Sequence, residues 1–391
     1  MLFMAAGCDL LDNKSGFPTN ENIWVNGYLA SWMHNPETTY INSGVMKTSD
    51  IDWSALTHLT YFALRIGPDG TPAHSLDPAD RNNFNTDRIS AIVSAGHLHN
   101  TNVIFSVGGG GNYEEFREAI MQPNRGRFTA TIHNFIHQFG FDGVNLNMLP
   151  IEPDDFSDYS LFVRDLSASF DSISTKRGNR PILTIAALKS QDVLSLYATI
   201  QDHLDQINIL TYDMAQPWRG WQAWHNSALY NKNATFLNNP SLRLPYVDEK
   251  VDEAIAAGIL REKIGICISF YGYVWDTVHL MEQWSGWPTQ NMNILRSVSF
   301  SDVVSEFGSS ETLWDKNARV PYINISEPRA FVTFDNELSV FNKTEYAKKK
   351  RIGGIMIWEL GGGFLQEPEG THRDPLLQSI KKSAFKNRSD H

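Results

Sequence analysis

Short apolar runs alternate with amphipathic stretches along almost the whole chain from Ile23 onward. Eight runs are typical of buried strands, and they cover residues 24–32, 56–66, 102–109, 141–149, 181–188, 207–213, 263–272 and 351–360. Between them, in stretches such as 127–140 and 159–170, apolar residues recur at helical spacing. Alternating strands and helices imply a parallel sheet with helices outside, and eight such units predict a single (β/α)8 TIM barrel.

A doubly wound open sheet is the alternative fold. It would place a glycine-rich dinucleotide turn near the start of the chain, but no such turn opens this sequence. The glycines of residues 108–111 lack both the spacing and the downstream acid of that motif. The barrel is therefore the favoured interpretation.

In such barrels the functional side chains lie at the carboxyl ends of the strands. That rule selects Tyr28, Phe62, Gly108 to Gly110, Asn145, Asn147, Leu149, Tyr212, Asp213, Tyr271, Trp358 and Glu359. Asn145, Asn147 and Leu149 alternate along the fourth run, so they share one face of that strand. Because Asn is disfavoured in strands, two on one inward face indicate a polar site, yet none of the three can transfer a proton near neutral pH.

Composition and charge narrow the function classes. The formal net charge of −11 and the pI of about 5.5 argue against a nucleic-acid partner. No apolar run reaches the roughly 20 residues that a membrane helix requires. The histidines show no metal-ligand spacing, so we expect neither a metal nor a cofactor.

The first 22 residues differ from the rest. Residues 1–8 form a short apolar stretch that ends in small residues before Cys8, and a polar, turn-prone segment follows. This pattern resembles the end of a bacterial lipoprotein signal, in which the cysteine is lipidated. We therefore expect residues 1–22 to be a signal remnant and tether, residues 23–391 to form the barrel, and Cys8 to anchor the protein to the cell envelope, at the outer membrane or cell surface.

Several motifs, in barrel order, carry a family resemblance. Residues 26–32 (NGYLASW), 104–110 (IFSVGGG), 210–213 (LTYD), 269–272 (SFYG) and 353–360 (GGIMIWEL) resemble the first, third, sixth, seventh and eighth strands of glycoside hydrolase family 18. That family comprises the chitinase and endo-β-N-acetylglucosaminidase barrels. The resemblance covers nearly the whole chain after residue 23 and implies the same TIM barrel.

The fourth strand departs from the family pattern. Residues 141–149 (FDGVNLNML) resemble the catalytic FDGxDxDxE motif, but of its four acidic positions only Asp142 is retained and the other three hold Asn145, Asn147 and Leu149. The family uses substrate-assisted catalysis, in which the final Glu protonates the glycosidic oxygen and the preceding Asp stabilises the oxazolinium ion. Leu149 cannot donate a proton and Asn147 carries no negative charge. The resemblance thus implies a degenerate motif without catalytic residues.

The ligand-holding positions are retained. By resemblance, Trp358 forms the floor under the sugar, Tyr212 and Asp213 hold its N-acetyl group, and Tyr28 and Tyr271 line the pocket. The candidate ligand-binding residues are Tyr28, Phe62, Asn145, Asn147, Tyr212, Asp213, Tyr271 and Trp358, joined by Trp218 and Trp221. With Trp224, these last two place three Trp within seven residues after the sixth strand, as in a platform for stacking on a glycan. Only about 25 residues follow Trp275 before Ser299, so we expect the additional α+β insertion domain of some chitinases to be missing.

We therefore predict a non-catalytic protein that binds N-acetylglucosamine-containing oligosaccharides, of chitin type or from the N-glycan core. A neighbouring glycan hydrolase or importer is a possible partner. One alternative is an active endo-hydrolase that uses Glu152 or another acid. A second is a protein-binding barrel module, since fold alone does not fix function. Asn145 and Asn147 also have a purely structural interpretation as buried, bonded amides.

Overall fold

Eight parallel strands close into a barrel in the computed structural model, which describes residues 23–31, 46–73, 86–218, 220–276, 278–283, 297–366 and 372–385. The barrel strands are β1 (Trp24–Ala30), β2 (His58–Leu64), β3 (Asn102–Gly108), β4 (Gly143–Asn147), β5 (Ile182–Ala187), β6 (Gln206–Ile209), β9 (Ile264–Ser269) and β15 (Gly354–Trp358). Their spatial order is β1-β15-β9-β6-β5-β4-β3-β2. The predicted (β/α)8 architecture is thereby confirmed.

Helices accompany the strands along the described chain, and most of them pack outside the barrel. They are α1 (Thr86–Leu98), α2 (Tyr113–Ile120), α3 (Arg125–Phe139), α4 (Phe156–Phe170), α5 (Gln191–Ile200), α6 (Val247–Ala256), α7 (Phe300–Phe307), α8 (Glu337–Lys350) and α9 (Pro375–Ala384). In α4 the buried side chains include Tyr159, Phe162, Val163, Leu166 and Phe170. Their spacing of three or four residues forms one apolar stripe, which explains how the amphipathic pattern covers a sheet.

All neighbouring strands of the barrel run parallel, so their carboxyl ends lie at one face, here called the mouth. The fourth strand ends at Asn147, so Leu149 lies just beyond it rather than within it. The sixth strand likewise ends at Ile209, which leaves Tyr212 and Asp213 in the following connection. Several candidate site residues that the sequence pattern placed on strand ends therefore lie in the connections after the strands.

A small α+β unit lies between the last two barrel strands. It consists of β10 (Tyr271–Asp276), β11 (Ser297–Ser299), β12 (Leu313–Asp315), β13 (Val320–Ser326), β14 (Arg329–Thr333) and helix α7, with the sheet order β11-β10-β14-β13-β12. The expectation that no α+β unit is inserted here is therefore corrected. The count of residues after Trp275 missed it because four of its five strands lie at residue 297 or later, almost entirely beyond the interval that was counted.

The remaining strands, β7 (Thr235–Phe236) and β8 (Asn239–Arg243), form a hairpin after β6. None of the helices in the described part of the chain has both the length and the apolar character needed to span a bilayer. Over the same ranges, no group of three or more His, Cys, Asp or Glu side chains is arranged to hold a metal ion. Residues 1–22, with Cys8 and the predicted tether, lie outside the described residues.

Candidate functional site at the barrel mouth

An aromatic and apolar cluster occupies the mouth of the barrel. This mouth cluster contains Tyr28, Phe62, Leu149, Ala186, Leu188, Leu210, Tyr212, Cys267, Tyr271, Met356 and Trp358. The Trp358 ring packs edge-on against Phe62, with centroids 4.7 Å apart, and lies 5.7 Å from Tyr28. The structure thus brings together the predicted sugar floor and wall residues, although they come from separate strands and connections of the chain.

Leu149 belongs to this cluster and is partly buried. Its isobutyl group packs among apolar and aromatic side chains at the position where the family motif places a proton donor. A leucine has neither a donor nor an acceptor. The contacts of Leu149 therefore fill space in the mouth and supply no acid.

The side-chain amide of Asn145 is hydrogen-bonded inside the barrel through both its oxygen and its nitrogen. The parallel register sets it between Ser106 of β3 and Thr184 of β5. Ser106 Oγ donates to Asn145 Oδ1 at 3.0 Å, and Asn145 Nδ2 donates to Thr184 Oγ1 at 2.9 Å. Asn145 is fully buried, so the structural interpretation applies to it and the predicted ligand contact does not.

Asn147 differs, because its Oδ1 is buried and has no hydrogen-bond partner among the residues that the structure describes. Its side chain is 5% exposed. Its backbone carbonyl accepts the N–H of Gly109 at 2.7 Å. Gly108, at a φ of +94°, lies so close that an added Cβ would approach this carbonyl to 2.5 Å. The glycines of residues 108–109 therefore allow the chain to pack closely against Asn147. The unsatisfied acceptor of Asn147 belongs to the last residue of β4, at the carboxyl end of that strand.

Asp142, the retained acid of the motif, lies at the opposite end of the barrel. It precedes β4, accepts the backbone N–H of Val103 at 2.8 Å and contacts His97 Nε2 at 2.8 Å. Five residues of extended chain, roughly 16 Å, separate it from Asn147. Asp142 therefore fixes the start of the strand and takes no part in the mouth.

Asp213 is held in place by two tyrosines. Tyr271 OH donates to Asp213 Oδ1 at 2.5 Å and Tyr273 OH donates to the same oxygen at 2.7 Å. Asp213 has a φ of +51°, and its N–H donates to Asn226 Oδ1 at 2.8 Å. Burial, followed by the Asp213 charge, raises the pKa of both phenols well above the ordinary value, so both remain donors. One carboxylate oxygen is thus saturated, while the other remains the one that can accept from a ligand.

Three residues at this site escaped sequence reasoning. Tyr273 stands two positions after Tyr271 on β10, a spacing that puts both on one face of a strand. Lys189 directly follows the apolar fifth run, and a charged residue at the carboxyl end of a strand is a sequence feature that indicates a site residue. Asn226 gave no local signal, because its link to Asp213 spans a long connection.

The tryptophans after β6 divide into two environments. Trp218 is 38% exposed, and its ring centroid lies 4.5 Å from that of Trp221, in an edge-on arrangement. Trp224 is buried and its Nε1 donates to the carbonyl of Pro245 at 3.0 Å. The predicted platform therefore excludes Trp224, which belongs to the core between this connection and the α+β unit.

Two further carboxylates follow mouth residues closely in the sequence. Glu359 accepts the Gly361 N–H at 3.0 Å, and burial raises its pKa from 4.5 to about 7. Its fixed position agrees with the structural role predicted for it. Glu152 is exposed, lies outside the mouth cluster, and begins a turn in which its own N–H donates to Asp155 Oδ2 at 2.8 Å.

Comparison with known proteins identifies the family. The family model for glycosyl hydrolases family 18 matches residues 25–363. The chain belongs to this family. This family 18 barrel is 28% identical over 285 residues to Chitinase A1 of Niallia circulans, with 67% of this chain and only 41% of that protein covered. It is also 24% identical over 413 residues to a chitinase-like effector of Moniliophthora perniciosa, which covers 92% of this chain and 86% of the effector.

Solved structures show the same fold. A Group IV chitinase of Ostrinia furnacalis in complex with allosamidin has a TM-score of 0.78 at 22% identity and covers 93% of this family 18 barrel and 99% of the chitinase chain. Catalytic domain 2 of a Group II chitinase from the same organism has a TM-score of 0.77 at 20% identity, covering 94% and 97%. That second structure is a Glu→Leu mutant in complex with penta-N-acetylchitooctaose.

Proposed function

We propose that this chain is a non-catalytic glycan-binding protein whose mouth cluster recognises oligosaccharides that contain N-acetylglucosamine, of chitin type or from the N-glycan core. The observation that carries the proposal is the combination of two neighbouring residues, Leu149 and Asn147. The first packs as an apolar group where the family motif has its acid, and the second keeps a buried acceptor without a partner.

Each part of an acetamido sugar has a matching group in this mouth. Trp358 offers an apolar ring face, and such faces pack well on sugar rings. Asn147 Oδ1 and the second oxygen of Asp213 are acceptors that suit an amide N–H or a sugar hydroxyl. Because an unmet buried acceptor costs about 1–3 kcal/mol, a ligand that donates to Asn147 gains affinity from that bond.

The relatives are consistent with sugar binding. Allosamidin is bound by one similar chitinase, and an oligomer of N-acetylglucosamine by the other, in a mutant that carries leucine in place of glutamate. A barrel of this fold therefore retains an oligosaccharide in a leucine-substituted form. Their ligands guide the choice of probes.

The test combines calorimetry with product analysis on the full chain. We expect chitooligosaccharides or a high-mannose N-glycan to give binding heat and no new reducing ends. Trp358→Ala should lose the heat, whereas Trp314→Ala, on the edge strand of the α+β sheet, should retain it. Release of products that Glu152→Gln abolishes would instead establish a hydrolase. Absence of heat with every glycan would favour the protein-binding module.

The same proposal includes a lipid anchor at Cys8 and a place on the bacterial cell envelope, where the barrel would hold glycans for a neighbouring hydrolase or importer. Mass spectrometry of the protein expressed in a bacterial host tests this part. The expected result is a diacylglyceryl-modified Cys8 and membrane fractionation that Cys8→Ser abolishes. An unmodified protein with an intact residue 1 would rule the anchor out and leave the binding proposal unaffected.

A further inference from the structure

Lys189 places an ammonium group behind the wall of the mouth. It follows β5 directly, and its neighbour Leu188 packs in the mouth cluster. The Lys189 Nζ donates to the carbonyls of Tyr212 at 3.0 Å and Leu210 at 3.3 Å. Both carbonyls belong to the segment that leads into Asp213. A sugar that contacts Tyr212 is therefore separated from this ammonium by little more than one layer of atoms.

The ionic groups on this side of the mouth balance each other. Burial lowers the pKa of Lys189, and the nearby Asp213 charge partly offsets that effect. Asp213 provides the opposite charge, directed by its two tyrosines. Glu359 is tied to the Gly361 amide, with a pKa near 7 because of burial. Asn147 and Leu149 contribute no charge, so these two motif positions add no negative charge that would receive a cation.

We propose that Lys189 makes the mouth selective for the N-acetylated form of an amino sugar over the form with a free amine, an inference that rests on the proposed function. A protonated glucosamine unit would bring a second ammonium beside Lys189, whereas the acetamide is neutral. At the effective dielectric of a partly buried site, two like charges within about 8 Å repel strongly enough to change affinity by roughly tenfold or more. Asp213 attracts the amine, and the nearby Lys189 charge, which interacts with that carboxylate, offsets part of this attraction.

The test compares tetramers of N-acetylglucosamine and of glucosamine by calorimetry, at a mildly acidic pH that keeps the free amine protonated. The native chain should bind the acetylated tetramer at least about tenfold more tightly. Lys189→Met, which removes the charge and keeps an unbranched side chain, should bind the glucosamine tetramer more tightly than the native chain does. Lys189→Arg should retain the discrimination.

Lys176→Met serves as the matched control, because Lys176 is exposed and lies in the connection before β5, at the other end of that strand. It should behave as the native chain. Equal binding of both tetramers by the native chain would overturn the inference and leave the proposed function standing. Unchanged discrimination in a folded Lys189→Met variant would also overturn it. Failure of the native chain to bind the acetylated tetramer or any other acetamido glycan would instead remove the proposed function itself.

Discussion

The Tyr271 hydroxyl and the Asp213 carboxylate are joined by a 2.5 Å hydrogen bond across the mouth of the barrel. Tyr271 begins the α+β unit, while Asp213 follows the sixth barrel strand. The bond therefore couples the orientation of the one carboxylate we assign to ligand binding to the position of the inserted unit. Because both tyrosines donate to Oδ1, neither donates to the second carboxylate oxygen.

Removal of the Tyr271 hydroxyl should weaken glycan binding. Tyr271→Phe deprives Asp213 of one of two donors, and hydrogen bonds to charged groups contribute roughly 1.5–3 kcal/mol. We expect affinity for an acetamido oligosaccharide to fall by about tenfold or more in calorimetry. Tyr346→Phe removes a comparable 2.8 Å bond to Asp248 between outer helices and should leave affinity unchanged. Equal effects of the two variants would contradict a role at the mouth.

Substitutions of the two asparagines of β4 should have different effects, one on stability and the other on glycan binding. Asn145→Ala leaves Ser106 and Thr184 without their shared partner and should lower the free energy of unfolding in urea by about 1–3 kcal/mol. Asn147→Ala removes an acceptor that has no partner within the described chain, so it should leave stability nearly unchanged and reduce glycan affinity. The opposite assignment of the two effects would refute the distinction between them.

Replacement of the apolar group at the acid position should create slow hydrolysis. The double variant Asn147→Asp, Leu149→Glu supplies a carboxylic acid, and general acid catalysis typically contributes 10²–10⁴-fold. We expect release of reducing ends from chitooligosaccharides, measured by mass spectrometry, at a rate above that of the native chain. The variant Asn147→Asp, Leu149→Gln has the same size without the proton and should stay inactive. Equal release by both variants would show that the new acid is not responsible.

Glu359 should make stability depend on pH. Its pKa in the native chain is about 7 instead of 4.5, because burial disfavours the charged form. Below pH 4.5 the carboxyl is protonated in both the native and unfolded states. As the pH rises from 4.5 to about 7, the unfolded chain loses this proton first, so the free energy of unfolding falls, by at most roughly 3 kcal/mol.

The check is urea unfolding across that pH interval. Glu359→Gln has no proton to lose and should show a smaller fall than the native chain. Glu262→Gln, at an exposed residue near the other end of the barrel, is the control and should follow the native curve. Parallel curves for native and Glu359→Gln proteins would contradict the raised pKa.

The mouth residues that lie at or near strand ends could be predicted from the sequence. The period of two along β4, together with the rule that barrel function lies at carboxyl ends, correctly brought Tyr28, Phe62, Leu149, Tyr212 and Trp358 to one cluster. The same period could not separate Asn145 from Asn147, since both share a face. Only the register with β3 and β5 supplies Ser106 and Thr184 to one of them.

The amino-acid sequence by itself determined the barrel and the neutral character of its fourth strand, because both follow from local periodicity and from which side chains occupy fixed positions. The tertiary structure alone decided which polar groups have partners. Lys189, Asn226 and Tyr273 reach the Asp213 segment from separate parts of the chain, and the α+β sheet joins strands that are distant in sequence. Such pairings depend on long-range contacts, which no local pattern of residues encodes.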